Sequence, residues 1–223
     1  MSTQDEYTTV LLRTMASDVA HELRGPVQSI LVNLEVLRRR AQIGDSAAAI
    51  ERADLIEEEI RRIHTVSDAF LGLLRPAEPE PRPLAAESLL ATLDPLVTLH
   101  AKSARLKLER LPVDSGLFIR VRREPVSLAL LHLFLAVCVA SGPGATITLA
   151  CAGDGGDVVF RIEAVAPTGE DAAAALDRAV AAAAAWLDDG GTVVCDPVSH
   201  NRAIVVRLRL PRATSLTPPS QPD

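Results

Sequence analysis

Apolar residues recur every three or four positions through the first part of the chain: Leu12, Met15, Val19, Leu23, Val27, Ile30, Leu34 and Leu37. That spacing keeps one face of an α-helix apolar, so a single long helix is expected. Gly44, Asp45 and Ser46 interrupt the pattern, and Asp45 or Ser46 can accept from the first free N–H groups of a new helix. A second stripe follows, made of Ile50, Ala53, Ile56, Ile60, Ile63, Val66, Phe70 and Leu73. Each helix reads as about 30 residues, or about 45 Å at the α-helical rise. Joined by a short turn, the two make an antiparallel hairpin. A lone hairpin gives each stripe only one neighbour, so pairing of two copies into a homodimeric four-helix bundle is expected.

Pro76, Pro79, Pro81 and Pro83, interleaved with Glu78 and Glu80, end the helical pattern and read as an extended linker over residues 76–83. Beyond it the periods mix. Residues 84–102 read as a helix, 106–111 and 117–121 as short strands, and 124–140 as a buried helix. Residues 146–150 and 158–163 form an expected hairpin about Gly153-Asp154-Gly155-Gly156. An alanine-rich helix over 171–187 precedes a last hairpin, 192–195 with 203–210, about Ser199-His200-Asn201. The fold class is therefore α+β: a helical hairpin domain (residues 1–75), the linker, and a sandwich of a mostly antiparallel sheet covered by helices (84–212). A proline-rich tail, 213–223, is expected to be disordered.

The 223 residues carry 23 basic and 29 acidic side chains, a net charge of −6, which argues against a nucleic-acid surface. With 3% aromatic residues there is little to stack on bases. Cys138, Cys151 and Cys195 stand far apart without a CxxC spacing, so reduced thiols are expected rather than a disulfide or a zinc site. The start, MSTQDEYTTV, is not a signal peptide, and the apolar run 127–140 is too short to span a bilayer. A cytoplasmic protein without a membrane partner is the expectation.

The candidate chemistry lies in His21-Glu22-Leu23-Arg24-Gly25-Pro26, inside the first helix. Proline within a helix costs about 3 kcal/mol and glycine about 1 kcal/mol relative to alanine. A helix carrying both beside a His–Glu pair has a local use for a bent backbone. His21 falls two residues from each of the stripe positions Val19 and Leu23, so it points to solvent. An exposed neutral imidazole is a nucleophile, and Glu22 beside it can take the ring proton. Arg24, three residues on, shares the face of His21 and is positioned to contact a phosphoryl group or a partner. His132, in an apolar helix, reads as a core histidine, and His64, His100 and His200 show no partner pattern. Neither a GxxxxGK[ST] nor a GxGxxG loop is present.

The segment ASDVAHELRGPVQSILVNLEVL resembles the phosphoacceptor box of sensor histidine kinases, whose usual form is His-Glu-Leu-Arg-Asn/Thr-Pro-Leu. The resemblance implies that His21 is the phosphorylated residue, that Glu22 is its acid/base partner, and that the hairpin dimerises. It also implies docking of response-regulator receiver domains, which bring an aspartate and a magnesium ion. Gly25 stands where the family's phosphatases place Asn or Thr. REPVSLALLHLFLAVCVASGPGATITLA has the rhythm of the family's Asn-containing box, with His132 and Ala136 at the two Asn positions. Alanine cannot ligate magnesium. In FRIEAVAPTGED, Ala166 falls where an aspartate would read adenine, and Gly169 alone stays near a family glycine. The glycine-rich lid before the alanine-rich helix is missing. The second domain thus resembles a degenerate histidine-kinase ATPase sandwich with no cofactor of its own. The expected function is a histidine phosphotransferase of a phosphorelay, passing phosphate between receivers, with a hybrid histidine kinase as a candidate upstream partner. Two alternatives stay open: a pseudo-histidine-kinase that scaffolds or inhibits a regulator or kinase, and a kinase with an unusual nucleotide site.

Overall fold

A computed structural model describes residues 3–76, 78–165, 170–187, 190–196 and 203–213. Two helices come first, α1 (Thr3–Gln42) and α2 (Ser46–Gly72). Then follow β1 (Arg82–Ala85), α3 (Ala86–Ser103), β2 (Lys107–Arg110), β3 (Phe118–Val121) and α4 (Arg123–Ser141). β4 (Thr146–Asp154), β5 (Asp157–Val165), α5 (Glu170–Trp186), β6 (Thr192–Asp196) and β7 (Ala203–Pro211) complete the order. Ala166, Gly169, His200 and the tail beyond residue 213 lie outside the described residues.

The hairpin is as the apolar stripes predict, but its helices are unequal, 40 residues in α1 and 27 in α2. α1 continues through Pro26. Because proline has no N–H, the Glu22 carbonyl one turn earlier loses its helical donor. Asp45 caps α2, accepting at Oδ1 from the Ala48 N–H at 3.3 Å.

The end of the linker departs from expectation. Leu84 and Ala85 are not the start of a helix; with Arg82 and Pro83 of the linker they pair antiparallel with β3, Arg82 opposite Val121 and Ala85 opposite Phe118. A two-stranded sheet is all edge, which is where a strand tolerates Pro83. The main sheet has the order β2-β4-β5-β7-β6, antiparallel except for the parallel β2–β4 pair. β4 and β5 are longer than the sequence pattern suggests. Gly155, at φ 62°, and Gly156 form a two-residue turn between the paired Asp154 and Asp157. Along β5 and β7 the buried positions alternate: Val158, Phe160, Ile162 and Ala164, then Ile204, Val206, Leu208 and Leu210.

α4, at 19 residues, exceeds the expected run and is long and apolar enough to cross a membrane by length and composition. Here it is the central helix of the sandwich, with Leu131, Phe134 and Val137 fully buried. α3 lies against both hairpin helices and against α4. The apolar core therefore runs without interruption from Leu11, Met15 and Val19 of α1 and Val66, Ala69 and Leu73 of α2 into the sandwich. One expectation is corrected by this packing. Leu11 rather than Leu12 is the buried end of the α1 stripe, because the sandwich covers that turn from a second side. Further along the hairpin, as expected of helices with one neighbour each, stripe positions Val27, Ile50 and Ile60 are exposed, and so is Leu31 beside the stripe.

Two glycines should respond in opposite senses to alanine. A Cβ on Gly191 would meet Leu210 Cδ2 at 2.8 Å and Leu187 Cδ1 at 3.2 Å. Gly191→Ala is expected to lower the unfolding free energy by about 1–3 kcal/mol through overpacking. A Cβ on Gly25 meets nothing within 4 Å. Gly25→Ala should raise stability by about 1 kcal/mol, by removing glycine from a helix interior. Urea midpoints of the two variants check both signs.

Candidate functional site

His21 stands exposed on α1, as the stripe spacing predicts, at the mouth of a cleft of about 580 Å³. One wall is α1 with His21, Glu22 and Arg24; the others are α2 with Arg62 and the end of α3 with Lys102 and Arg105. The His–Glu motif is thus not on a free rod. The C-terminal sandwich builds one side of its surroundings.

Two carboxylates one helical turn apart on α1 hold the sandwich in place. Asp18 Oδ2 lies 2.5 Å from His100 Nδ1, and Asp18 Oδ1 accepts from Ser103 Oγ at 3.3 Å. The carboxylate is an acceptor, so Nδ1 of His100 carries the proton. The ring's other nitrogen, Nε2, is buried without a hydrogen-bond partner, and the ring meets Phe134 edge-on at 6.4 Å. The expectation that His100 has no partner is corrected here: its partner is 82 residues away, beyond the reach of any local pattern. Glu22, the side chain at i+4 from Asp18, is gripped by the guanidinium of Arg62 and by Lys102 Nζ at 3.1 and 3.2 Å. It is only 14% exposed. Part of the carboxylate's hydrogen-bonding capacity is thus taken up by the two cations. Pro26 is buried against the hairpin and Gly25 is exposed.

The residues aligned with the family's Asn positions lie elsewhere. His132 and Ala136, one turn apart on α4, are both half-buried. α5 packs along α4, and the His132 ring stands edge-on to Trp186 at 5.3 Å and tilted to Tyr7 at 6.0 Å. Trp186 Nε1 donates to Thr8 Oγ1 at 3.2 Å, tying α5 to the start of α1. The side chains on this face do not fit a nucleotide–magnesium complex: Ala136 offers no ligand, and the imidazole is packed between two aromatic rings. Burial pushes the His132 pKa down, which keeps the ring neutral. Burial likewise pushes the Cys138 and Cys151 thiols up to about 12, the behaviour of structural cysteines. Cys195 is raised as well, first by burial and then by Asp177.

Sequence reasoning found His21, Glu22 and Arg24 and missed Asp18, Arg62, His100, Lys102 and Arg105. The one local signal was Asp18, a turn before His21 on a shared helix face.

His132 makes stability depend on pH. Its folded pKa lies below the ordinary histidine value of 6.5, so the unfolded chain binds the proton more tightly. Its contribution is complete above pH 6.5 and is lost as the pH falls from there toward the folded value. His132→Phe, which suits the aromatic slot, should show a shallower loss of urea stability between pH 7 and pH 5.5 than the parent protein.

No curated protein sequence matches the chain. The His Kinase A (phospho-acceptor) domain family matches residues 11–78. Among solved structures, the nucleotide-free catalytic domain of histidine kinase ThkA aligns with a TM-score of 0.50 at 14% identity, covering 60% of this chain and 97% of that one. The complex of ThkA with response regulator protein TrrA aligns with a TM-score of 0.50 at 16% identity, covering 95% of this chain and 64% of the kinase. A bacterial phosphotransferase covers 93% of this chain and 97% of its own at 15% identity, with a TM-score of 0.45. At such identities the likeness is one of fold. Residues 11–78 are thus similar to the His Kinase A (phospho-acceptor) domain family, and the sandwich that follows has the fold of a histidine-kinase catalytic domain.

Proposed function

We propose that this protein is a histidine phosphotransferase of a two-component phosphorelay. His21 takes a phosphoryl group from the aspartyl phosphate of one response-regulator receiver and passes it to the aspartate of another, without drawing on ATP. One contrast carries the reading. The acceptor imidazole is open to a partner, while the α4 face aligned with the family's nucleotide-holding residues is covered by α5, Trp186 and Tyr7.

In the loading step the lone pair of a neutral His21 ring nitrogen attacks phosphorus as the aspartyl P–O bond breaks. The aspartate leaves as a carboxylate, and the remaining ring N–H proton passes to Glu22 or to water. Magnesium held by the receiver offsets the phosphoryl charge, so the chain brings no metal of its own. The complex of ThkA with TrrA supports a receiver as the partner. Exposed Val27, Leu31, Ile50 and Ile60 on the far half of the hairpin support a homodimer, since a second copy would bury them in a four-helix bundle. The reading places the protein in the cytoplasm, downstream of a hybrid kinase. The hold of Arg62 and Lys102 on Glu22 favours a second reading, a dimeric pseudo-kinase that binds a receiver and passes no phosphate.

Incubation with a receiver carrying labelled phosphate should move label onto the wild-type chain and not onto His21→Ala. Label on neither protein, with receiver binding that survives His21→Ala, would establish the scaffold instead. Titration calorimetry with magnesium and ATP is expected to show no heat of binding up to millimolar nucleotide; saturable heat there would restore a kinase.

A further inference from the structure

We propose that the sandwich completes the acceptor site: Arg105, at the end of α3, and Arg24, on α1, form a binding site for the phosphoryl dianion carried on His21. This rests on the reading of His21 as the phosphoryl carrier and extends it to a role for the second domain that does not involve nucleotide.

Four cations line the His21 cleft, but they are not equivalent. Arg62 and Lys102 are committed to Glu22. Arg24 and Arg105 have no ion-pair partner among the described residues, and both face the cleft that His21 opens onto. Of the acids there, Asp18 is taken by His100 and Ser103, which leaves Glu59 as the carboxylate to be offset. A phosphoryl group on the imidazole would add a dianion beside two guanidinium groups with nothing else to bind. Guanidinium is suited to this by its planar pair of N–H donors.

The backbone at Arg105 points the same way. It is the one non-glycine residue with a positive φ among those described, 57°. Its N–H donates to the Lys102 carbonyl at 3.1 Å, and the Leu106 N–H reaches back to Ala101 at 2.8 Å. That is the left-handed helix ending at which glycine is the usual residue. Arginine at this position forgoes stability for a side chain, and the side chain lines the acceptor cleft.

Phosphoramidate tests the site with no receiver present. Its P–N bond breaks as the His21 ring nitrogen bonds phosphorus, and ammonia leaves with a proton. The full-length protein would be followed by phosphohistidine ³¹P NMR. Arg24→Ala and Arg105→Gly should each slow labelling of His21 about fivefold, and raising the salt from low to high should bring the wild-type rate toward that of the double variant. Arg105→Gly should meanwhile raise the urea midpoint, because glycine suits the left-handed position, so lost labelling cannot be put down to misfolding. Arg105→Lys should recover part of the rate, and Arg38→Ala, beyond the cleft, should label normally. Arg24→Ala and Arg105→Gly proteins labelled at the wild-type rate would overturn the site while leaving His21 as a carrier. A wild-type chain labelled no better than His21→Ala would overturn both.

Discussion

The structure depends on a helix that is buried on more than one side. Around α3, Leu89, Leu93, Leu96, Val97, Leu99, His100 and Ala101 are all buried, which no single partner could achieve. α4 meets it from the sandwich, and α1 and α2 meet it from the hairpin. Because the last turn of α3 is fixed in this way, Lys102, Ser103 and Arg105 come to rest beside His21, more than 80 positions earlier in the chain. Apolar burial supplies most of the attachment. The ion pairs to Glu22 are partly exposed and worth about 0–1 kcal/mol each, so they set the register of the contact rather than its strength.

That arrangement bears on Glu22. Its carboxylate already accepts from two cations. The partners of that carboxylate are therefore drawn from both domains. A partner that draws away Lys102 or Arg62 frees Glu22, whereas one that leaves them in place meets a carboxylate whose hydrogen-bonding capacity is partly spent. The sandwich, with Trp186 and Tyr7 packed against His132 on α4, has a physical part to play at the last turn of α3.

Much of this was legible in the chain and some of it could not be. The hairpin, Asp45 as the cap and the exposure of His21 follow from three-to-four periodicity, because local spacing decides which way a helical side chain points. Strand β5 and the longer β7 were visible as alternation. β1 was hidden: Arg82, Pro83, Leu84 and Ala85 have no strand signal of their own, and they are extended because β3 pairs with them. The Asp18–His100 contact and the ring cluster around His132 join positions far apart in the sequence, where no periodicity operates. Resemblance marked Ala136 as a lost ligand, but only the fold reveals what came to cover that face.

The continuous core has a consequence for modularity. Hairpins of this kind invite transplantation, with the proline-rich stretch as the natural point to cut. In this chain the cut would strip cover from Leu11, Met15 and Val19 on one side and from α3 on the other. Hairpin and sandwich should melt together in one cooperative transition, and a grafted hairpin would arrive with its upper third unclothed.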